Sequence, residues 1–170
     1  MDIKPATRAD VDRLIATAGP VTQHHLRARW ETQEHGDGLF LLAHRDGEVV
    51  GHTMLLRQSK YAEVRAADDP VEINALHAYV QNQGIGTAII RAAEALATDW
   101  GRNAIGLAVE PDNPAARRLY ERLGYRQWPG SQVVDTWTEQ DAAGVVVRTH
   151  NDACDYLLKK LTPRRADGLG

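Results

Sequence analysis

The sequence predicts a mixed α/β fold, and three observations predict it. Short apolar runs such as "LFLLAHRDGEVVGHTMLL" and "NAIGLAV" recur between segments whose apolar residues step by three and four. Asp46-Gly47 divides the first of these runs, as the tight turn of an antiparallel hairpin does. Farther on, strand and helix patterns alternate, which places parallel pairing beside the antiparallel part.

The elements follow in order. "DIKPA" is short and extended, and Pro5 closes it. Val11, Leu14, Ile15 and Ala18 keep helical spacing until Gly19 stops them. A second helix is expected over 22–35, with Leu26 and Trp30 four apart. The hairpin strands are expected over 39–45 and 48–56. "QSKYAEVRAADDP" reads as a polar loop, and "VEINALHAYV" as a strand. Ile85, Ile89, Ile90, Ala93, Leu96, Ala97 and Trp100 then form one apolar helical stripe that Gly101 ends. In "NAIGLAV", Ile105, Leu107 and Val109 share one side, with small residues on the other. The next helix is fully punctuated: Asn113 suits the N-cap, Pro114 the first helical position, and Gly124 the left-handed C-terminal position. The remainder, through "CDYLLKKL", reads as three or four strands. These elements make one domain over 1–161, followed by a tail over 162–170.

Composition narrows the class. Of 170 residues, 43% are hydrophobic and 25% charged, ordinary values for a globular protein with a real core. The net charge of −3 gives no electrostatic case for nucleic acid or a membrane as the main partner. The one cysteine, Cys154, cannot form an internal disulfide, and "MDIKPATRADVDRL" does not have the pattern of a signal peptide. With no apolar run near the length of a membrane span, the expectation is a cytoplasmic protein.

Chemistry enters at "VQNQGIGTAIIRAAEAL", which begins at Val80. Gly84 and Gly86 lie between a strand and a helix, and Thr87 follows. A helix start carries unpaired N–H groups and a partial positive charge, and glycine lets a phosphate come close. The same glycines also suit a plain strand-to-helix turn. Ile89 replaces the third glycine of a dinucleotide fingerprint, and "GTA" is not the Gly-Lys-Ser/Thr of a P-loop.

"EINALHAYVQNQGIGTAIIRAAEALA" followed by "NAIGLAVEPDNPAARRLYERLGYR" resembles the core of the GNAT (Gcn5-related N-acetyltransferase) superfamily. The two motifs span about a third of the chain. The resemblance implies a central, mostly antiparallel sheet of six to eight strands, splayed between two parallel strands and flanked by about four helices. It implies acetyl-CoA as co-substrate, no metal, and acetyl transfer to a primary amine. The family's Gln/Arg-x-x-Gly-x-Gly/Ala segment, here Gln81-Asn82-Gln83-Gly84-Ile85-Gly86, wraps the coenzyme's pyrophosphate. The family's Leu-x-Val-x-Pro before it is here Leu76-His77-Ala78-Tyr79-Val80, so Ala78 and Val80 take the Val and Pro places.

The resemblance also assigns roles. Coenzyme contacts fall on Leu76, His77, Ala78, Gln81, Gln83, Gly84, Ile85, Gly86, Thr87, Asn113 and Tyr120. A backbone N–H at Leu76 or Ala78 polarises the thioester, Glu72 takes the amine's proton, and Tyr120 donates to the leaving thiolate. On a regular strand Glu72, Asn74 and Leu76 share a face. Gly106 and Ala108 leave room for the coenzyme. His77 reads as packed, His24 and His25 as a solvated helix face, Cys154 as buried packing, and Arg117 and Arg118 as solvated. No nucleophile constellation is present, which points to direct attack in a ternary complex. A small-molecule amine is the favoured acceptor; the alternatives are an enzyme acting on protein N-termini or lysines and a non-catalytic CoA-binding sensor. A homodimer is open as well, since dimers are common in the family.

Overall fold

The computed structural model describes residues 1–163, so the expected tail lies, beyond Pro163, outside the described residues. An eight-stranded mixed sheet carries five helices. The strands are β1 (Asp2–Pro5), β2 (Gly38–Arg45), β3 (Glu48–Leu56), β4 (Val71–Ala78), β5 (Ala104–Val109), β6 (Arg126–Gln127), β7 (Val133–Gln140) and β8 (Val146–Lys160). The helices are α1 (Arg8–Ala16), α2 (Pro20–Glu34), α3 (Ala62–Ala67), α4 (Ile85–Asp99) and α5 (Pro114–Arg122). The order across the sheet is β1-β2-β3-β4-β5-β8-β6, with β7 also paired to β8. Among the described residues only β4 and β5 run parallel; every other pair is antiparallel.

Both faces of the central sheet are covered, which explains the unbroken apolar run of β2. Phe40 and Leu42 pack with Val11 and Leu26 under α1 and α2. Leu41, between them, turns to the opposite face and joins Ile90, Ala93 and Ala97 of α4. The two layers are tied by polar contacts: Gln33 of α2 donates to the Ala6 carbonyl (2.9 Å) and accepts from the Phe40 amide (2.8 Å). The punctuation read from the sequence is present. Asp46 and Gly47 both have positive φ in the β2–β3 turn, the Asn113 side chain caps α5, and Gly124 has a φ of 98° after it.

One segment differs from expectation. The stretch read as a polar loop contains α3, a six-residue helix that buries Val64 completely beside Tyr61. A helix this short offers one apolar contact and no repeat, so periodicity cannot reveal it.

Candidate active site

β4 and β5 are paired only at Val71↔Ile105 and Glu72↔Gly106. Beyond those pairs the strands part, and the backbones of 73–78 and 107–109 line a gap in the sheet. A bulge widens it. Met54 faces Asn74 and His52 faces His77, so Thr53 opposes two residues, Ala75 and Leu76. Ala75 adopts a φ of 52°, a left-handed conformation costing an ordinary residue about 1–2 kcal/mol. Thr53 Oγ1 holds the kink by donating to the Asn74 carbonyl at 3.0 Å. The extra residue breaks the expected alternation. Leu76 joins Val71 and Ile73 in the cluster under α4, and it does not share the face of Glu72.

The gap opens into a cavity of about 450 Å³. Ile73, Leu107 and Tyr120 line it and belong to the core on the α4 side. Tyr61, Ala108 and Cys154 also line it and belong to a separate cluster. The cavity is therefore walled by residues of two separate packed clusters.

The glycine turn lies at the outer end of the bulged strand. Gly84 is the N-cap of α4 with a φ of 71°, and space around its Cα is open. The first helical bond runs from the Ala88 amide to the Gly84 carbonyl (3.0 Å), so the amides of Ile85, Gly86 and Thr87 have no intrahelical acceptor. Ile85 anchors the helix start in a cluster with Ala43 and Ile89, against which Leu76 and Ala78 pack. The strand's backbone thus leads directly to the turn. Gln81 closes the turn on the Ala78 carbonyl (3.3 Å). Gln83 accepts a hydrogen bond from Arg45, which brings a cation to the loop that precedes the helix start. Arg45 is 38 residues away in sequence and belongs to the hairpin, where nothing in its surroundings marks it.

Other expected residues fall around this frame. Tyr120 projects from α5 into the cavity, and burial pushes its phenol up, so it stays protonated. Asn113 is exposed and uses its carbonyl oxygen to cap the Ala116 amide (3.2 Å). Arg117 is not simply solvated: it bonds Asp155 (2.9 Å), Glu121 (2.9 Å) and Gln127 (3.0 Å). His77 is exposed, not packed, and stacks on His52 with ring centroids 5.7 Å apart. Its strand has passed the bulge, and the outward face of β4 is uncovered there. His24 and His25 are also not a solvated face. They reach the Asp141 and Thr138 carbonyls at 2.8 and 2.9 Å and fasten α2 to the β7–β8 hairpin.

Glu72 is fully buried. Its carboxylate accepts from the Ser59 hydroxyl, from the Lys60 amide (3.2 Å) and from the Tyr156 hydroxyl (2.9 Å). Burial raises its pKa, and the hydrogen bonds oppose the rise. Glu72 is adjacent to the cavity through Lys60 and Tyr61 but is not part of its wall. Gly106 does not leave room for a coenzyme. An added Cβ would lie 2.5 Å from the Tyr156 ring, so the missing side chain makes room for the tyrosine that reaches Glu72. Ala108 does line the cavity.

The acidic lining was not visible in the sequence. Glu110 lies one residue past β5, and Asp135 lies on β7, paired with Lys60 and accepting from the Tyr61 hydroxyl (3.1 Å). Partial desolvation at the cavity rim and the nearby Asp112, Asp152 and Asp135 raise the Glu110 pKa. Trp137 adds an aromatic wall, stacked on His150 at 3.8 Å and bonded to Asp152 at 2.9 Å. Cys154 is buried as expected, and its thiol is pushed up to about 11, far from a ready nucleophile.

The site is thus framed by a parallel pair that splays beside a bulged strand, with a glycine-capped helix at that strand's outer end. The acetyltransferase (GNAT) family model matches residues 9–125, and the chain belongs to this family. An uncharacterized N-acetyltransferase of Mycobacterium tuberculosis is 33% identical over 88 residues, 51% of this chain and 51% of that protein. The chain spans about half the length of the curated relatives it matches. The fold is similar to an N-acetyltransferase from Staphylococcus aureus Mu50, with a TM-score of 0.67, 14% identity, and coverage of 95% of this chain and 98% of that one. It is also similar to yncA from Salmonella typhimurium, solved with its cofactor acetyl-CoA, with a TM-score of 0.63, 17% identity, and coverage of 99% and 98%. Among the described residues, no helix is long and apolar enough to cross a membrane.

Proposed function

We propose that this chain is an acetyl-CoA-dependent N-acetyltransferase that moves the acetyl group to a small primary amine by direct attack. The observation that carries this reading is the cavity between the splayed strands, reached on one side along the bulged β4 from the glycine turn. The coenzyme's diphosphate docks on the amides of 84–87, with Arg45 beside it and Gln81 and Gln83 shaping the loop. The pantetheine arm runs past Ala78, His77 and Leu76, where β4 pairs with β3 on one edge only. An unpaired strand amide polarises the thioester carbonyl, a contribution of about 10²–10³ in rate for one donor.

The amine enters from the acidic side. An alkyl ammonium with a pKa near 10 must lose a proton before it attacks. Glu110 takes it, because it lines the cavity and its neighbours favour the protonated carboxyl. Glu72 supports the step from behind the wall by fixing Lys60, Ser59 and Tyr156. The amine nitrogen then bonds to the thioester carbon, and the carbon–sulfur bond breaks. The proton that the nitrogen still carries passes to the departing thiolate, which the protonated Tyr120 hydroxyl stabilises by a hydrogen bond, giving the amide and free CoA thiol. The test is CoA release measured over a panel of amines and peptides, with calorimetry of acetyl-CoA against ATP and NAD. Selective acetyl-CoA binding with amine-dependent CoA release is expected. Release without any acceptor, or no preference for the coenzyme, contradicts the reading.

A further inference from the structure

Arg29, on α2, lines the cavity and is withdrawn from solvent. Among the described residues it makes no ion pair and no side-chain hydrogen bond; its contact is with the Phe40 ring, 5.9 Å from the centroid. Two other half-buried arginines are matched with acids: Arg102 with Asp69 at 3.1 Å and Arg117 with Asp155 at 2.9 Å. A guanidinium taken from water without an anion is unfavourable, and burial accordingly lowers the Arg29 pKa. The groups that interact with it most directly, Tyr79 and His52, supply no negative charge. Burial pushes the Tyr79 phenol up, and His52 is held neutral with a pKa of about 3. An anionic group of a ligand in this cavity would match it.

The coenzyme's phosphates are on the wrong side. Alternate residues of β2 separate α1 and α2 from α4, and the glycine turn opens α4. Arg29 thus faces the acceptor's half of the cavity, while Glu110 and Asp135 line the same space. With Asp135 already paired with Lys60, Arg29 and Glu110 remain as one unmatched cation and one unmatched acid in the cavity, which suits a molecule carrying both charges.

We propose that the acceptor is an aminocarboxylate, whose carboxylate is bound by Arg29 while its amine is presented to Glu110. This rests on the acetyl-transfer reading above. A guanidinium binds a carboxylate through paired charge-assisted bonds, and an acceptor lacking the carboxylate leaves Arg29 unmatched. A peptide N-terminus lacks a carboxylate next to its amine and is disfavoured.

The experiment uses the full chain with saturating acetyl-CoA and measures CoA release for matched sets. Each set contains a free amino acid, its amide, its decarboxylated amine and a peptide beginning with that residue. The carboxylate member should exceed the others by about 10–100-fold in kcat/KM. In Arg29→Gln this preference should collapse, chiefly through KM, while acetyl-CoA affinity stays unchanged and Tm is not lowered; Arg29→Lys should restore part of the preference. Equal or better turnover of amides, amines or peptides overturns the proposal. So does a panel with no acetylated amino acid when calorimetry shows acetyl-CoA bound. Absence of acetyl-CoA binding instead marks the failure of the underlying acetyl-transfer reading.

Discussion

The Tyr156 hydroxyl donates to the Glu72 carboxylate at 2.9 Å, across the last residue pair that β4 and β5 share before they part. The bond closes the apex of the splay. Gly106, the partner of Glu72, carries no side chain, and the tyrosine ring occupies that space. The gap that forms the cavity starts at a point fixed by a buried polar network.

Replacing Glu72 should therefore affect the apex first. Glu72→Gln keeps one acceptor oxygen and turns an amide toward three donors, which should cost about 1–3 kcal/mol, read from denaturant unfolding. Because burial raises the folded-state pKa of Glu72, its contribution is complete below the ordinary value of 4.5 and declines as pH rises through the raised value. The deficit of the variant should be greatest at the acid end and shrink as pH rises. A variant as stable as the native protein, with turnover abolished, would show Glu72 to be the proton acceptor itself.

Gly106→Ala brings a methyl group to 2.5 Å from the Tyr156 ring. Overpacking of this kind costs about 1–3 kcal/mol, and thermal unfolding should show a lowered Tm. An unchanged Tm would mean that the ring moves freely and does not brace the apex.

Glu110→Gln should lower kcat by about 10²-fold or more and leave Tm and acetyl-CoA affinity unchanged, because the side chain is exposed at the rim. The acidic group that Asp112, Asp152 and Asp135 hold above the ordinary range should set the low-pH limb of kcat/KM. Activity should fall on acidification at a pH above that of an isolated carboxyl. The limb should vanish in the variant, and a limb that persists would remove Glu110 from the mechanism.

Tyr120→Phe removes one hydroxyl donor from the cavity wall. The expected loss is about 10–100-fold in kcat, with KM for acetyl-CoA little changed. Since burial raises this phenol, no alkaline limb near its ordinary value of 10.0 should disappear with it.

The frame of the site was legible because its signals are local. The hairpin turn at Asp46-Gly47, the stripe of α4 and the Asn113-to-Gly124 punctuation each occupy a few adjacent residues with restricted backbone chemistry. The glycine turn was legible for the same reason. The bulge was not, because Ala75 has no intrinsic preference for the left-handed region; pairing with β3 imposes it. That single inserted residue is why Leu76 packs with Ile73 and away from Glu72. The half of the cavity proposed for the acceptor carries no motif because it is assembled from distant segments. Arg29, Lys60, Glu110, Asp135 and Trp137 come from α2, two loops and β7, and none belongs to a motif. Asp135 alternates along β7 as any half-exposed strand residue would.

The central claim is that a diphosphate docks on the bare amides opening α4. Titrating amide-resolved spectra of the protein with CoA, and with CoA lacking the diphosphate-linked nucleotide, tests it most directly. Ile85, Gly86 and Thr87 should show the largest amide shifts with intact CoA and much smaller ones with the truncated form. Saturable CoA binding that leaves those three amides unmoved would contradict the account.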